Sequence, residues 1–312
     1  MEKQATRDAY GKALVELGGK YDDVVVLDAD LSKSTKTAEF AKAYPNRFIN
    51  AGIAEQNMIG MAAGLAAAGK SVFASSFAIF AVGRAFEQVR NSIAYANLNV
   101  KICATHAGIT VGEDGGSHQS VEDIAIMRSV PNMTVVVPSD GISTKKALFT
   151  LYHHEGPAYL RLGRPAVPII YDENMDFELG KGIELKNGTD ATIIACGIMV
   201  FKALQAAEKL SEDGINVSVI DMHTIKPIDK DLIIKKAKET KAILTLEEHS
   251  IIGGLGGAVC EVVAEHCPVP VIRMGINDVF GQSGKPDELL QHYNLTVEHI
   301  IQNVQNLLKK KD

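Results

Sequence analysis

The chain has 312 residues, of which 46% are hydrophobic and 22% charged, with a formal net charge of −6. That length exceeds one typical core, so two domains are expected. The acidic balance, with both signs interspersed, argues against a nucleic-acid or anionic-membrane surface, and no long apolar run suggests a membrane helix. The N-terminal stretch M-E-K-Q-A-T-R-D-A-Y holds no apolar signal core. Cys103, Cys196, Cys260 and Cys267 form no C-x-x-C pair, so neither zinc nor a disulfide framework is suggested. A reducing cytoplasm is the expected compartment. The closing Lys309–Lys311 run reads as a solvated helix end that complements the helix dipole.

Arg7–Leu17 carries helical spacing through Tyr10, Leu14 and Leu17. Val24–Leu27 is a continuous apolar run, as expected of a strand covered on both faces. The polar loop Asp28–Thr35 follows it. Asn50–Met58, N-A-G-I-A-E-Q-N-M, holds one carboxylate, Glu55, and opens a small-residue segment, Met58–Ala68. This segment is expected to be a helix buried on most faces, with Gly60 and Gly64 on one side permitting close helix approach. Further strands are expected at Ser71–Ser75, Val100–Thr105, Thr134–Val137 and Ala158–Leu162, with helices at Arg84–Tyr95, Val121–Arg128 and Thr144–His153. His106–His118 is a long Gly-rich loop.

From Pro165 to about Asn187 the pattern lapses, and a linker wrapping the surface is expected. A second alternation then runs from Ala191 to Arg273, closed by helices near Pro286–His292 and Thr296–Lys309. The fold class is α/β, with two domains (1–164 and 188–312, joined by a linker at 165–187), each an open, mainly parallel sheet flanked by helices. In such sheets ligands bind at the carboxyl ends of strands.

The polar residues gather at those strand ends in the first domain. Glu55 at a helix start could simply complement the helix dipole. A desolvated carboxyl there could instead hydrogen-bond a basic ring nitrogen. The loop T-H-A-G-I-T-V-G-E-D-G-G-S-H-Q is long, Gly-rich and polar, and long loops in compact α/β domains are more often functional than not. It lacks the ligand spacing of a calcium loop, a third ligand for zinc, and any G-x-S-x-G elbow in support of a hydrolase.

Taken together, these residues resemble the transketolase family, thiamine diphosphate enzymes that move two-carbon ketol units. The resemblance rests on G-I-A-E-Q-N-M at Gly52–Met58, on H-A-G-I-T-V-G-E-D-G-G-S-H-Q at His106–Gln119, and on P-N-M at Pro131–Met133. It covers the whole chain, but only the pyrimidine-binding and C-terminal domains of a full-length transketolase. It implies that Glu55 is the catalytic glutamate, bonded to the aminopyrimidine ring of the cofactor so that the thiazolium carbon loses its proton. Phe77 and Phe80 would flank the pyrimidine, with Phe77 stacked on it. Core packing is an equal reading for Phe80. Asp30, Leu31 and Ile53 would line the cofactor pocket. The resemblance gives His118 a catalytic contact with the sugar hydroxyls and has Asp114 read a substrate hydroxyl. Ser34, His106 and Arg164 would hold the sugar phosphate. Arg161 has no counterpart and reads as a surface ion pair.

There are departures from the family. Transketolases commonly carry H-D-S-I-G where this chain has H-A-G-I-T, so Ala107 and Gly108 lose two polar positions, and substrate length and phosphate preference stay open. V-V-V-P-S-D at Val135–Asp140 is closer to deoxyxylulose phosphate synthase, yet that enzyme's arginine is absent at Ala107. The beta subunit of pyruvate dehydrogenase has similar size and domain order but lacks the His-rich loop. The family's Gly-Asp-Gly motif for magnesium and diphosphate does not occur here. The resemblance therefore implies one subunit of a split transketolase, active only with an N-terminal subunit carrying that motif, which would hold the magnesium. It also implies sugar phosphate substrates, self-contact of this chain through Met58–Ala68, and a complex with two copies of each subunit. The alternatives are the C-terminal part of a deoxyxylulose phosphate synthase-like enzyme and a non-catalytic scaffold. A scaffold has no need of Glu55 together with His106, Asp114, His118 and Arg164.

Overall fold

The structure, a computed structural model, describes residues 2–311. Its first unit runs β1 (Lys3–Ala5), α1 (Thr6–Lys20), β2 (Val24–Asp28), α2 (Ser32–Thr35), α3 (Ala38–Ala43), β3 (Phe48–Asn50), α4 (Glu55–Ala67) and β4 (Ser71–Phe77). Two π-helical turns, Ile79–Arg84 and Val89–Ala94, then flank the short α5 (Phe86–Gln88). They are followed by β5 (Val100–Thr105), α6 (Asp123–Ser129), β6 (Thr134–Val136), α7 (Gly141–His153), β7 (Ala158–Arg161) and β8 (Ala166–Pro168). The second unit holds β9 (Ile183–Lys186), β10 (Ala191–Ala195), α8 (Met199–Glu212), β11 (Val217–Asp221), β12 (Thr224–Lys226), α9 (Lys230–Thr240), β13 (Ile243–Ser250), α10 (Leu255–His266), β14 (Val271–Ile276), α11 (Pro286–His292) and α12 (Val297–Leu308).

Among the described residues these strands form two main sheets, in the orders β12-β6-β7-β5-β4-β2-β3 and β14-β13-β10-β11-β9. Both are parallel except at one edge, where β12 pairs antiparallel to β6 and β9 antiparallel to β11. This is the mainly parallel α/β architecture that the alternating pattern implies. The burial of β2 shows why the apolar runs are continuous. Val25 and Leu27 face one core with Met58, Ile59 and Ala62 of α4. Val24 and Val26 face another with Tyr10 and Leu14 of α1 and with Phe40. Alternate residues point to opposite faces, and both faces are covered.

Several local features depart from the sequence expectation. β12 crosses over from the second unit to extend the first sheet, and its three residues carry no periodic signal. Within 165–187, β8 pairs with β1, and β9 joins the second sheet. α7 begins three residues early because Asp140 caps it, accepting a bond from Ser143 N at 2.7 Å. α4 begins at Glu55 and is covered on one side only. Met58, Ile59, Ala62 and Ala63 are buried, whereas Gly60 and Gly64 lie on an exposed face with open space around them. No helix among the described residues is long and apolar enough to cross a membrane.

Candidate active site

Glu55 is the first residue of α4 and is 1% exposed. Its Oε2 accepts a hydrogen bond from Arg84 Nη1 at 2.9 Å, an ion pair in which the arginine side chain keeps 48% of its surface exposed. The Arg84 guanidinium also lies 4.5 Å from the Phe80 ring centroid. Glu55 is thus more than a helix cap, since the fold buries it and supplies a counter-ion from a π-helical turn.

Phe77 is the last residue of β4, and Phe80 lies in the π-helical turn that follows. Their rings are nearly parallel with centroids 5.9 Å apart, and His106 stacks on Phe77 at 3.8 Å. His118 meets Phe80 edge-on at 5.5 Å. Phe77 is only 6% exposed, whereas Phe80 is half-buried, so Phe80 is the more accessible ring of the pair.

His106 directly follows β5 and has a backbone φ of 56°, in the left-handed region that non-glycine residues seldom adopt. Arg7 Nη1 lies 3.0 Å from its Nε2 and Thr105 Oγ1 lies 2.8 Å from its Nδ1. Arginine only donates, so Nε2 accepts and Nδ1 carries the proton. Burial first, then the nearby Arg7 and Arg164 charges, push the His106 imidazole down to about 3. It is therefore neutral at physiological pH. Arg7 Nη1 also donates to the Ser34 carbonyl at 3.1 Å, and Arg7 Nε is buried without a hydrogen-bond partner among the described residues. Arg164 donates to the Val111 carbonyl and pairs with Glu113 at 3.1 Å. Arg7, Arg164, His106 and Ser34 thus converge on one corner.

The contacts run without a gap from Glu55 through Arg84, Phe80, Phe77 and His106 to Arg7 and Ser34. Other residues singled out from the sequence lie off this line. Asp30, also at positive φ (64°), is exposed and exchanges hydrogen bonds with Asn50 at 3.0 and 3.2 Å. Leu31 is half-buried, with its N–H held by Asp28 at 2.6 Å. Ile53 is 78% exposed. Asp114 is exposed, and its side chain makes no hydrogen bond or ion pair among the described residues. Asp28 orders the loop between them by accepting from Thr35 and Thr37 at 2.6 and 2.9 Å.

The second domain clamps the His-rich loop. Gln119 Nε2 donates to the Gln282 carbonyl at 2.9 Å, and a side chain at Gly116 would fall 2.5 Å from the Gly281 carbonyl. Ala107 and Gly108 are both buried, and a side chain at Gly108 would collide with the Glu248 carboxyl. These two departures from H-D-S-I-G therefore sit against the second domain. Arg161 corrects the surface reading. It is 7% exposed and bridges the domains, donating to Asp123 at 2.7 and 3.2 Å and to the Glu248 carbonyl at 3.0 Å. Burial pushes the Asp123 carboxyl up, but Arg161, His249 and the Tyr159 hydroxyl together outweigh it and hold the group below the usual range. Arg7 and Arg84 were not singled out from sequence, and neither carries a local signal. Arg7 lies in an ordinary amphipathic helix, and Arg84 was read only as a helix start. Among the described residues no group of three or more His, Cys, Asp or Glu side chains could hold a metal ion.

A buried carboxylate, an aromatic pair and a corner of cations meet at the strand ends of a two-domain α/β protein, a set of groups whose chemistry suits a planar ring and an anion. Comparison with known proteins gives the family. "Transketolase, pyrimidine binding domain" matches residues 2–169 and "Transketolase, C-terminal domain" matches residues 180–300. The chain belongs to the transketolase family. It is 58% identical over 308 residues to a Methanocaldococcus jannaschii protein named for a transketolase C-terminal section, covering 98% of this chain and 96% of that one. It is 44% identical over 312 residues to a 6-deoxy-6-sulfo-D-fructose transketolase subunit from a Clostridium species, covering 100% and 97%. A solved structure described as a split gene transketolase, inactive beta4 tetramer, superposes with a TM-score of 0.93 at 55% identity and 99% coverage of both chains.

Proposed function

We propose that this chain is the C-terminal subunit of a split transketolase. With an N-terminal subunit it transfers a two-carbon ketol unit from a ketose phosphate to an aldose phosphate. The supporting observation is the unbroken line of contacts from buried Glu55, past Phe80 and Phe77, to the cation corner at Arg7. The residues fit the pyrimidine end of thiamine diphosphate. They comprise a buried carboxylate with Oε1 free of hydrogen bonds among the described residues, a half-exposed aromatic ring, and an exposed apolar Ile53 two residues before Glu55 in the chain. When bound, that cofactor supplies the carbanion chemistry of ketol transfer.

The protein's own part is positional and electrostatic. Glu55 would share a proton with the ring nitrogen. Phe80, backed by Phe77, would hold the ring plane, and Asp30, Leu31 and Ile53 would border it. His118, edge-on to Phe80, would contact the sugar hydroxyls, and Asp114 on the exposed loop would read a hydroxyl. The corner of Arg7, Ser34, His106 and Arg164 suits a phosphate. Arg7 Nε is an unpaired buried donor there, and the Arg164–Glu113 pair is exposed enough to exchange at small cost. Magnesium and the diphosphate would be held by the partner, because the Gly-Asp-Gly motif is absent here.

The exposed Gly60–Gly64 face of α4 would pack against a second copy, giving two copies of each subunit. The experiment is ketol transfer by the purified chain with and without the partner, offered ketose phosphates or pyruvate as donor. Turnover from a ketose phosphate only in the mixture supports the proposal. Product only from pyruvate as donor, with glyceraldehyde phosphate as acceptor, would transfer the assignment to a deoxyxylulose phosphate synthase-like enzyme. No turnover in a well-formed complex would make the chain a scaffold.

A further inference from the structure

We infer that Arg84 is a displaceable latch on Glu55. It holds the carboxylate as an ion pair in the free chain and swings aside when the cofactor ring takes its place. The inference rests on the reading of Glu55 as the ring-binding carboxylate and adds a positioning residue to it.

A carboxylate that is 1% exposed requires a partner, because an uncompensated buried charge is strongly destabilising. Arg84 supplies it at 2.9 Å. The same guanidinium covers the Phe80 ring, 4.5 Å from its centroid, where a cofactor ring would rest. The arginine and a cofactor ring cannot both lie on that face of Phe80, so the arginine has to move for the ring to seat beside Glu55.

The geometry allows that departure. Arg84 makes a single hydrogen bond to Glu55 and keeps 48% of its side chain in solvent. Arg161, the structural arginine, is instead only 7% exposed and grips Asp123 through two nitrogens. Arg84 also closes a π-helical turn, an element that recurs at functional sites, and follows Gly83, around which only Ile79 comes near. The guanidinium lies over the Phe80 ring at 4.5 Å and can move across it without opening the core.

The test measures thiamine diphosphate affinity, with Mg²⁺, by calorimetry in the complex assembled with the N-terminal subunit. Assembly of every variant is checked by light scattering. Arg84→Gln should tighten cofactor binding about tenfold or more, and should lower the melting temperature of the isolated chain. In a Glu55→Gln background the same substitution should change neither quantity. Should Arg84→Gln fail to assemble, Arg84→Met keeps the stem over Phe80 and carries the same expectations. Unchanged or weaker affinity in Arg84→Gln, with Glu55→Gln still altering affinity, would overturn the latch alone. Unchanged affinity and unchanged thiazolium-proton exchange in Glu55→Gln would remove the reading of Glu55, and the latch with it.

Discussion

Replacing Arg161 by methionine tests how the two domains are held together. Asp123 is fully buried and accepts from Arg161 Nε at 2.7 Å, Arg161 Nη2 at 3.2 Å and Tyr159 Oη at 2.6 Å. Arg161→Met leaves only the tyrosine and strands a carboxylate in the interior. Breaking a buried pair on one side costs about 3–5 kcal/mol. With a urea slope of about 3 kcal/mol per M, the unfolding midpoint should fall by roughly 1–1.7 M. Circular dichroism across a urea titration reads this directly. The double variant Arg161→Met/Asp123→Leu removes both charges and should recover at least half of the loss, because a buried pair contributes little net stability over apolar residues. A single-variant shift below about 0.3 M, or a double variant no better than the single, would refute the reasoning, since a buried unpaired charge cannot be that cheap.

Other outcomes follow from the same packing. Burial pushes the Glu248 carboxyl up to about 7, against the pull of Arg161 and of the Thr110 N–H. A folded-state value above the unfolded one means that this group's contribution is present at low pH and is lost as pH rises through about 7. Glu248→Gln should therefore lose less stability than the wild type between pH 5 and 8 in urea titrations, while Glu247, also near 7, keeps its own share. An identical pH slope would contradict this. A side chain at Gly64 meets nothing within the chain, so Gly64→Glu should fold normally yet fail to self-associate in light scattering. Lys309→Glu should leave folding and self-association unchanged, and a Gly64→Glu chain that assembles normally would show that this face is free surface.

The parallel sheets were legible because β2, β5, β10 and β11 are short, largely apolar segments, each buried along its whole length. Glu55, Phe77, Phe80, His106 and His118 were legible as a group, since their motifs fix spacing around strand ends. β12 was not, because three residues crossing between domains leave no period to read. Arg7 and Arg84 were missed because their meaning lies in partners 99 and 29 residues away, set by the tertiary fold. Arg161 was misread because its burial depends on the second domain closing over it. The exposure of Gly60 and Gly64 was hidden for a related reason. A small-residue helix reads the same whether its second face meets its own chain or another.

The central claim is that this chain lends Glu55 to a cofactor whose diphosphate is held elsewhere. Exchange of the thiazolium proton, followed by NMR in the complex of the two subunits, tests it most directly. Proton-transfer assistance typically contributes 10²–10⁴-fold, so Glu55→Gln should slow exchange by about two orders of magnitude or more while leaving assembly intact. The isolated chain should give only the rate of free cofactor. An unchanged rate in the Glu55→Gln complex, or rapid exchange in the isolated chain, would contradict the account.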